Sequence, residues 1–170
     1  MSFIDPEELI YDLPIEPEIN AADFGCGAGW WTIPLARKID KGIVYAVDLL
    51  EEPLSALRGK LERENISNVK VMRENIEEGV SIADNKVDLV LMTNFLFQVE
   101  KKEKLFSEAR RILKKGGFIL VTEWNPDSPI GPQNLKIEET EIRKMAVEND
   151  FALKDDFRAG MHHYGLLYQR

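Results

Sequence analysis

Residues Asn20 to Pro34 read NAADFGCGAGWWTIP. The apolar run Ala21 to Phe24 carries a single acid, Asp23, and stops at three glycines set one residue apart, Gly25, Gly27 and Gly29. That order predicts a strand, a tight turn and a helix beginning near Trp30. Glycine is needed where the backbone takes positive φ, or where a ligand lies against the chain with no Cβ between them. The helix then aims its free N–H groups and the positive end of its dipole at whatever occupies the turn. A cofactor site is the natural reading.

The spacing bears on which cofactor. A dinucleotide fold wants G-x-G-x-x-G, whose third glycine allows close helix-to-strand packing. Here that place holds Trp30, which opposes a nicotinamide-dependent oxidoreductase. Counting Asp23 as the acid, the stretch has the form [D/E]-x-G-x-G-x-G and resembles the first motif of the class I S-adenosylmethionine (SAM)-dependent methyltransferases. The resemblance implies that the turn from Gly25 through Cys26, Gly27 and Gly29 passes under the methionine part of SAM. It also implies that Asp23, with Phe24 beside it, helps to hold the ammonium.

Downstream, Trp30, Trp31, Ile33, Leu35 and Ile39 give the helix a wide apolar face, with Pro34 in its first turn where a missing N–H costs least. Ile43 to Val47 is a near-continuous apolar strand of the kind buried on both faces of a parallel sheet. It ends at Asp48, nineteen residues beyond Gly29 and followed by Leu49. A nucleoside-binding α/β unit places there the carboxylate that accepts from both ribose hydroxyls. The competing reading of Asp48 is a helix cap ahead of residues 49–63. A helix near Pro53 to Arg63, with Leu54, Leu57 and Leu61 on one face, and a third strand, Val69 to Arg73, follow. Glu74-Asn75-Ile76 stands where the family has an Asp and an apolar residue that bond and pad adenine. The resemblance gives Asn75 and Ile76 those roles, and an amide can both accept from and donate to the purine edge.

A turn cluster, Ala83 to Lys86, leads into a fourth strand, Val87 to Thr93. Its form VDLVLMTN is again similar to the family, which implies that Thr93, Asn94 and Phe95 stand beside the methionine arm. TNFLF lacks the [D/N]-P-P-[Y/F] of the enzymes that methylate amino groups of nucleic acids and glutamine. A helix from Lys102 to Leu113, closed by Lys114-Lys115-Gly116-Gly117, precedes a fifth strand, Phe118 to Glu123. A proline-rich loop, a helix bearing Ile142, Met145, Ala146 and Asn149, and a hairpin of residues 151–158 and 163–169 finish the chain.

Strands alternating with helices predict an α/β doubly wound, mostly parallel sheet, and the hairpin makes it seven-stranded with one antiparallel strand. The resemblance supplies the strand order 3-2-1-4-5-7-6, Rossmann-like, in a single domain over residues 1–170 with a short lead-in, 1–18. Such sheets bind ligands at the carboxyl ends of their strands. The antiparallel last strand brings Met161, His162, His163 and Tyr164 to that same edge. His162 and His163 are the candidate general bases. Neighbours in a strand point to opposite faces, so at most one can serve.

The chain has 170 residues, a size that suits one core. A net charge of −8 and the lack of a long Lys/Arg cluster argue against nucleic acid. Cys26 is the only cysteine, which excludes an internal disulfide and a thiol metal site, and no metal is expected. No apolar run approaches a membrane span, so a cytoplasmic protein that does not bind membranes is expected. The resemblance is nearest to the small ubiquinone/menaquinone-biosynthesis-type methyltransferases and implies a small-molecule acceptor. Phe95, Phe97 and Trp124 at the mouth would suit an apolar one. A SAM-binding regulatory or heteromeric subunit without its own turnover is the alternative, and a homodimer is left open.

Overall fold

The computed structural model describes residues 4–170. After the helix α1 (Pro6–Asp12), the chain runs β1 (Ala21–Phe24), α2 (Thr32–Lys38), β2 (Val44–Asp48), α3 (Glu51–Arg63), β3 (Val69–Arg73) and β4 (Val87–Thr93). It continues through α4 (Lys102–Ile112), β5 (Leu113–Trp124), α5 (Glu139–Glu148), β6 (Ala152–Ala159) and β7 (His163–Gln169). The strands form one sheet in the order β3-β2-β1-β4-β5-β7-β6. β7 is antiparallel to both neighbours, and the pairings among β1 to β5 are all parallel. The expected fold class and strand order are those of the structure.

The two faces of the sheet follow from alternation along each strand. Phe24, Val47, Met92 and Val121 point toward α4 and α5, whereas Ala21, Leu89, Leu91 and Leu120 point toward α1 and α2. Leu54, Leu57 and Leu61 of α3 close over Ala46 in a third cluster. β1 is buried along its whole length, so it can carry an acid only where that acid finds a partner. Even α1 is tied down. Asp5 caps its start by accepting from the Glu7 N–H at 2.9 Å, and the Lys38 ammonium donates to the carbonyls of Ile10, Tyr11 and Leu13 at 2.8, 2.6 and 2.8 Å.

β2 and β6 are each shifted by one residue from expectation, and two boundaries differ more. α2 begins at Thr32, because both tryptophans belong to the glycine turn, Trp31 buried beneath it and Trp30 69% exposed. The segment from Lys114 to Gly117 belongs to β5 and does not close α4, which ends at Ile112. There the β4 register jumps from Val87 opposite Leu113 to Leu89 opposite Phe118. The excursion is held by Gly116 N–H donating to the Arg170 carbonyl and Arg170 N–H to the Gly117 carbonyl, each at 2.9 Å.

Candidate functional site

Four strands end at one edge, and each end contributes to a cavity of about 460 Å³. The turn after β1 brings Gly25 and Gly27, β2 ends in Asp48 and Leu49, Asn75 and Ile76 follow β3, and Asn94 and Phe95 follow β4. These eight expected residues therefore meet around one cavity. Leu50, Glu74, Glu77 and Gln98 complete much of the rim. A wider groove of about 690 Å³ between α1 and the β6–β7 hairpin contains none of these strand ends, and its rim carries Asp5, Glu8, Asp12 and Asp155.

The three glycines do different work, although all have positive φ. A Cβ on Gly25 would stand 2.3 Å from the Phe95 ring, and one on Gly29 would stand 2.4 Å from Leu57. Both let side chains pack. Around Gly27 a Cβ would meet nothing within 4 Å, so this is the open surface of the turn and the place where a ligand can lie on bare backbone. Gly29 lies away from the cavity, beside Trp30 and Lys60, which corrects its expected place beneath the ligand.

Asp48 joins the first two strand ends. Its Oδ2 accepts from Gly27 N–H and its Oδ1 from Leu50 N–H, both at 2.9 Å. Each oxygen keeps a second lone pair, enough for two vicinal hydroxyls. The capping role and the diol role are thus compatible. Asn75 uses its Oδ1 to accept from Glu77 N–H at 3.1 Å and so starts the 3-10 turn Ile76–Glu78. Its NH₂ group is then the part that can turn to a purine edge.

Other expected residues lie outside the cavity wall. Phe24 is fully buried in the α4/α5 core, and Cys26 is buried near Leu54 with its thiol donating to the Gly27 carbonyl. Burial pushes that thiol's pKa up, so it is no ready nucleophile. Asp23 is also sealed. Its Oδ2 accepts from the Thr32 hydroxyl at 2.6 Å, while Oδ1 has no hydrogen-bond partner. Burial, opposed by that hydroxyl and aided by the negative charge of Asp48, raises its pKa to about 7. Asn94, at φ +51°, likewise has a buried Oδ1 without a partner. Of these two residues only Asn94 lines the cavity, and with the Asp48 carboxylate and the bare turn at Gly27 it suits a ligand with an ammonium beside a diol-bearing nucleoside, which is the chemistry of SAM.

The histidines do not line the cavity. His163 is 2% exposed and its ring lies 4.2 Å from that of Trp124, with both nitrogens unpartnered. Burial, with His162 nearby, lowers its pKa to about 4. That sealed ring is not placed to take a proton from an acceptor, which corrects the expectation for His163. His162 is partly exposed, and its Nδ1 meets the Ser128 hydroxyl at 3.0 Å. Trp124 packs against His163 and Gly131, and neither it nor Phe97 lines the cavity. The aromatic mouth expected from three rings is reduced to Phe95, beside exposed Leu49 and Leu50 and the acids Glu74 and Glu77.

Glu123 stood out in the sequence only as a strand stop. It is 1% exposed, and Oε1 accepts from the N–H groups of Phe95 and Leu96 at 2.8 and 2.6 Å. Burial raises its pKa to about 7, against the lowering effect of those bonds. The signal that could have marked it is the one that marks Asp23 and Asp48, an acid closing an apolar strand. Among the described residues no group of three His, Cys, Asp or Glu side chains is placed to hold a metal, and no helix is long and apolar enough to cross a membrane.

Comparison with known proteins agrees with this geometry. A Demethylmenaquinone methyltransferase of Bacillus cereus is 29% identical over 126 residues, 74% of this chain and 53% of that protein. One of Staphylococcus aureus is 29% identical over 129 residues, 75% of this chain and 52% of that protein. The chain thus spans about half the length of these relatives. The crystal structure of a SAM dependent methyltransferase from Aquifex aeolicus superposes with a TM-score of 0.91 at 22% identity, over 98% of this chain and 89% of that one, and shows the same fold. The family model described as Methyltransferase domain matches residues 22–121, from β1 into β5 and more than half of the sequence. By that match the chain belongs to the Methyltransferase domain family, the SAM-dependent class that its glycine turn resembles.

Proposed function

We propose that the protein moves a methyl group from SAM to a small-molecule acceptor. The observation that carries this reading is the meeting of Gly27, Asp48, Asn75 and Asn94 on one cavity. Asp48 would hold the ribose hydroxyls, Asn75 and Ile76 the adenine, and Asn94 the ammonium, with the sealed Asp23 supporting the turn through Thr32 and not touching the ligand. Bound SAM would supply a methyl group on a cationic sulfur that leaves uncharged. The contribution of the chain is alignment, with Phe95 and Val99 giving a partly apolar wall, and positioning of this kind can lower a barrier by several kcal/mol. His162, held by Ser128, is the proposed base for an acceptor that must lose a proton, with its contribution lying in the range of about 10²- to 10⁴-fold.

The relatives' name makes demethylmenaquinone the first acceptor to try, and the exposed Leu49 and Leu50 at the rim suit an apolar molecule. Incubation with methyl-labelled SAM and a panel of quinols, phenols and amines tests the proposal, with chromatography reading the labelled product. Transfer to one class, slowed in His162→Ala, is the expected result. Full transfer in that variant would remove His162 from the chemistry. The second reading, a SAM-binding subunit without its own turnover, draws on the absence of both histidines from the cavity wall. It predicts SAM binding with no transfer to any acceptor until a partner is added.

A further inference from the structure

The turn that follows β4 is unusual in its support. Asn94 takes φ +51°, and Leu96 opens a 3-10 turn that ends at Gln98. Between them the N–H groups of Phe95 and Leu96 both point at one oxygen of Glu123, on the neighbouring strand. Two donors at this distance share one acceptor, and a buried acid can persist only with such partners. The Phe95 ring lies against Gly25, with its nearest carbon 2.3 Å from where a Cβ would be. On its other side Glu123 is opposite Tyr164 in the β5–β7 ladder, so the two share a face of the sheet. Tyr164 in turn donates its hydroxyl to the Ile137 carbonyl at 3.0 Å, at the end of the loop that leads to α5. One carboxylate thus stands between the glycine turn and the loop that carries Ser128.

We propose that Glu123 is a positioning residue of the cofactor site, whose carboxylate sets the turn at residues 94–96 so that Asn94 and Phe95 form the wall opposite Asp48. It rests on the SAM reading above and names a residue that touches neither donor nor acceptor. What the role requires is one oxygen at the right reach for two N–H groups. Charge is secondary. A glutamine keeps the reach and gives up the charge, whereas an aspartate keeps the charge and falls one methylene short.

The test is calorimetric titration of SAM and of its demethylated product into the wild type, Glu123→Gln and Glu123→Asp, with amide exchange at Phe95 and Leu96 followed in the ligand-free proteins. The expected result is affinity within about threefold of wild type for Glu123→Gln, and a loss of about tenfold or more for Glu123→Asp. Exchange at Phe95 and Leu96 should quicken in Glu123→Asp while the amides of β1 and β2 keep their protection. Wild-type affinity and exchange in Glu123→Asp, or a loss in Glu123→Gln as large as in Glu123→Asp, would overturn the proposal. Should Glu123→Asp fail to fold, Glu123→Met decides in its place: it keeps the length without a strong acceptor, so it should lose about tenfold or more in affinity with faster exchange at Phe95 and Leu96, and wild-type affinity and exchange in it would overturn the proposal. If the wild type binds neither ligand, the SAM reading falls, while the exchange at Phe95 and Leu96 separately decides whether Glu123 holds the turn.

Discussion

Gly25 and Gly27 are two residues apart and would be indistinguishable on a list of motif glycines, yet they make opposite predictions. In Gly25→Ala the new Cβ collides with Phe95 at a φ of +73°, so the fold pays for the change, by about 1–3 kcal/mol in a denaturation experiment. Gly27→Ala meets no neighbour, and its cost in stability is the backbone strain alone, about 1 kcal/mol. Its methyl would stand where the ligand lies, so SAM affinity should fall by more than stability does. Asp23 gives a second contrast, in pH. Its folded pKa, about 7, lies above the ordinary 3.8, so the folded state favours the protonated acid. The resulting stability is fully present below about pH 4 and is lost as pH rises through 7, on the order of a few kcal/mol. Glu123 acts in the same direction, and His163, whose pKa is lowered, in the opposite one. Denaturation midpoints of Asp23→Asn against pH should therefore fall less steeply between pH 4 and 7 than those of the wild type. Asp48 and the glycines were legible because an acid or a bare backbone at the end of an apolar strand has few structural excuses. The sealing of Asp23 was not, since it depends on Thr32 folding back over it from the next helix.

At the scale of elements, β3 and β4 run Val69–Arg73 and Val87–Thr93, as expected, whereas β5 begins at Leu113, five residues before the expected Phe118. Continuous apolar runs bounded by turn residues leave little freedom for a buried parallel strand. Helix ends were harder. α2 starts two residues late because Trp31 is drawn into the core before the helix begins, and the glycines at 116 and 117 make a bulge, a contact with Arg170 that no local pattern announces. α1 depends on a long-range bond of the same sort. Lys38 places its ammonium on three carbonyls at the end of this short helix, where the dipole favours a cation. Lys38→Met keeps the apolar stem and removes the charge. It should cost about 1–3 kcal/mol and speed amide exchange through residues 6–13 without altering the strands. Unchanged exchange there would mean that packing of Ile10 and Leu13 alone holds α1.

For the whole molecule, seven strands in the order β3-β2-β1-β4-β5-β7-β6 put the first strand inside the sheet, flanked by β2 and β4. Chains in such sheets leave β1 in opposite directions, and the gap between the two halves opens at the carboxyl edge. The cavity lies there, which is why motifs spread from Gly25 to Phe95 in the sequence come together in space. That placement was legible from topology alone. The arrangement of His162, Ser128 and Trp124 was not, because it is set by a loop whose shape depends on bonds such as that of Lys136 to the Pro126 and Ser128 carbonyls. The central claim is that this edge binds SAM through Asp48. Calorimetric titration of the wild type and Asp48→Ala with SAM, its demethylated product and NADH tests it most directly. The account predicts that the wild type binds the first two and ignores NADH, and that Asp48→Ala, lacking the bonds to both ribose hydroxyls, binds at least about a hundredfold more weakly. Wild-type affinity in Asp48→Ala, or binding of NADH in place of SAM, would contradict it.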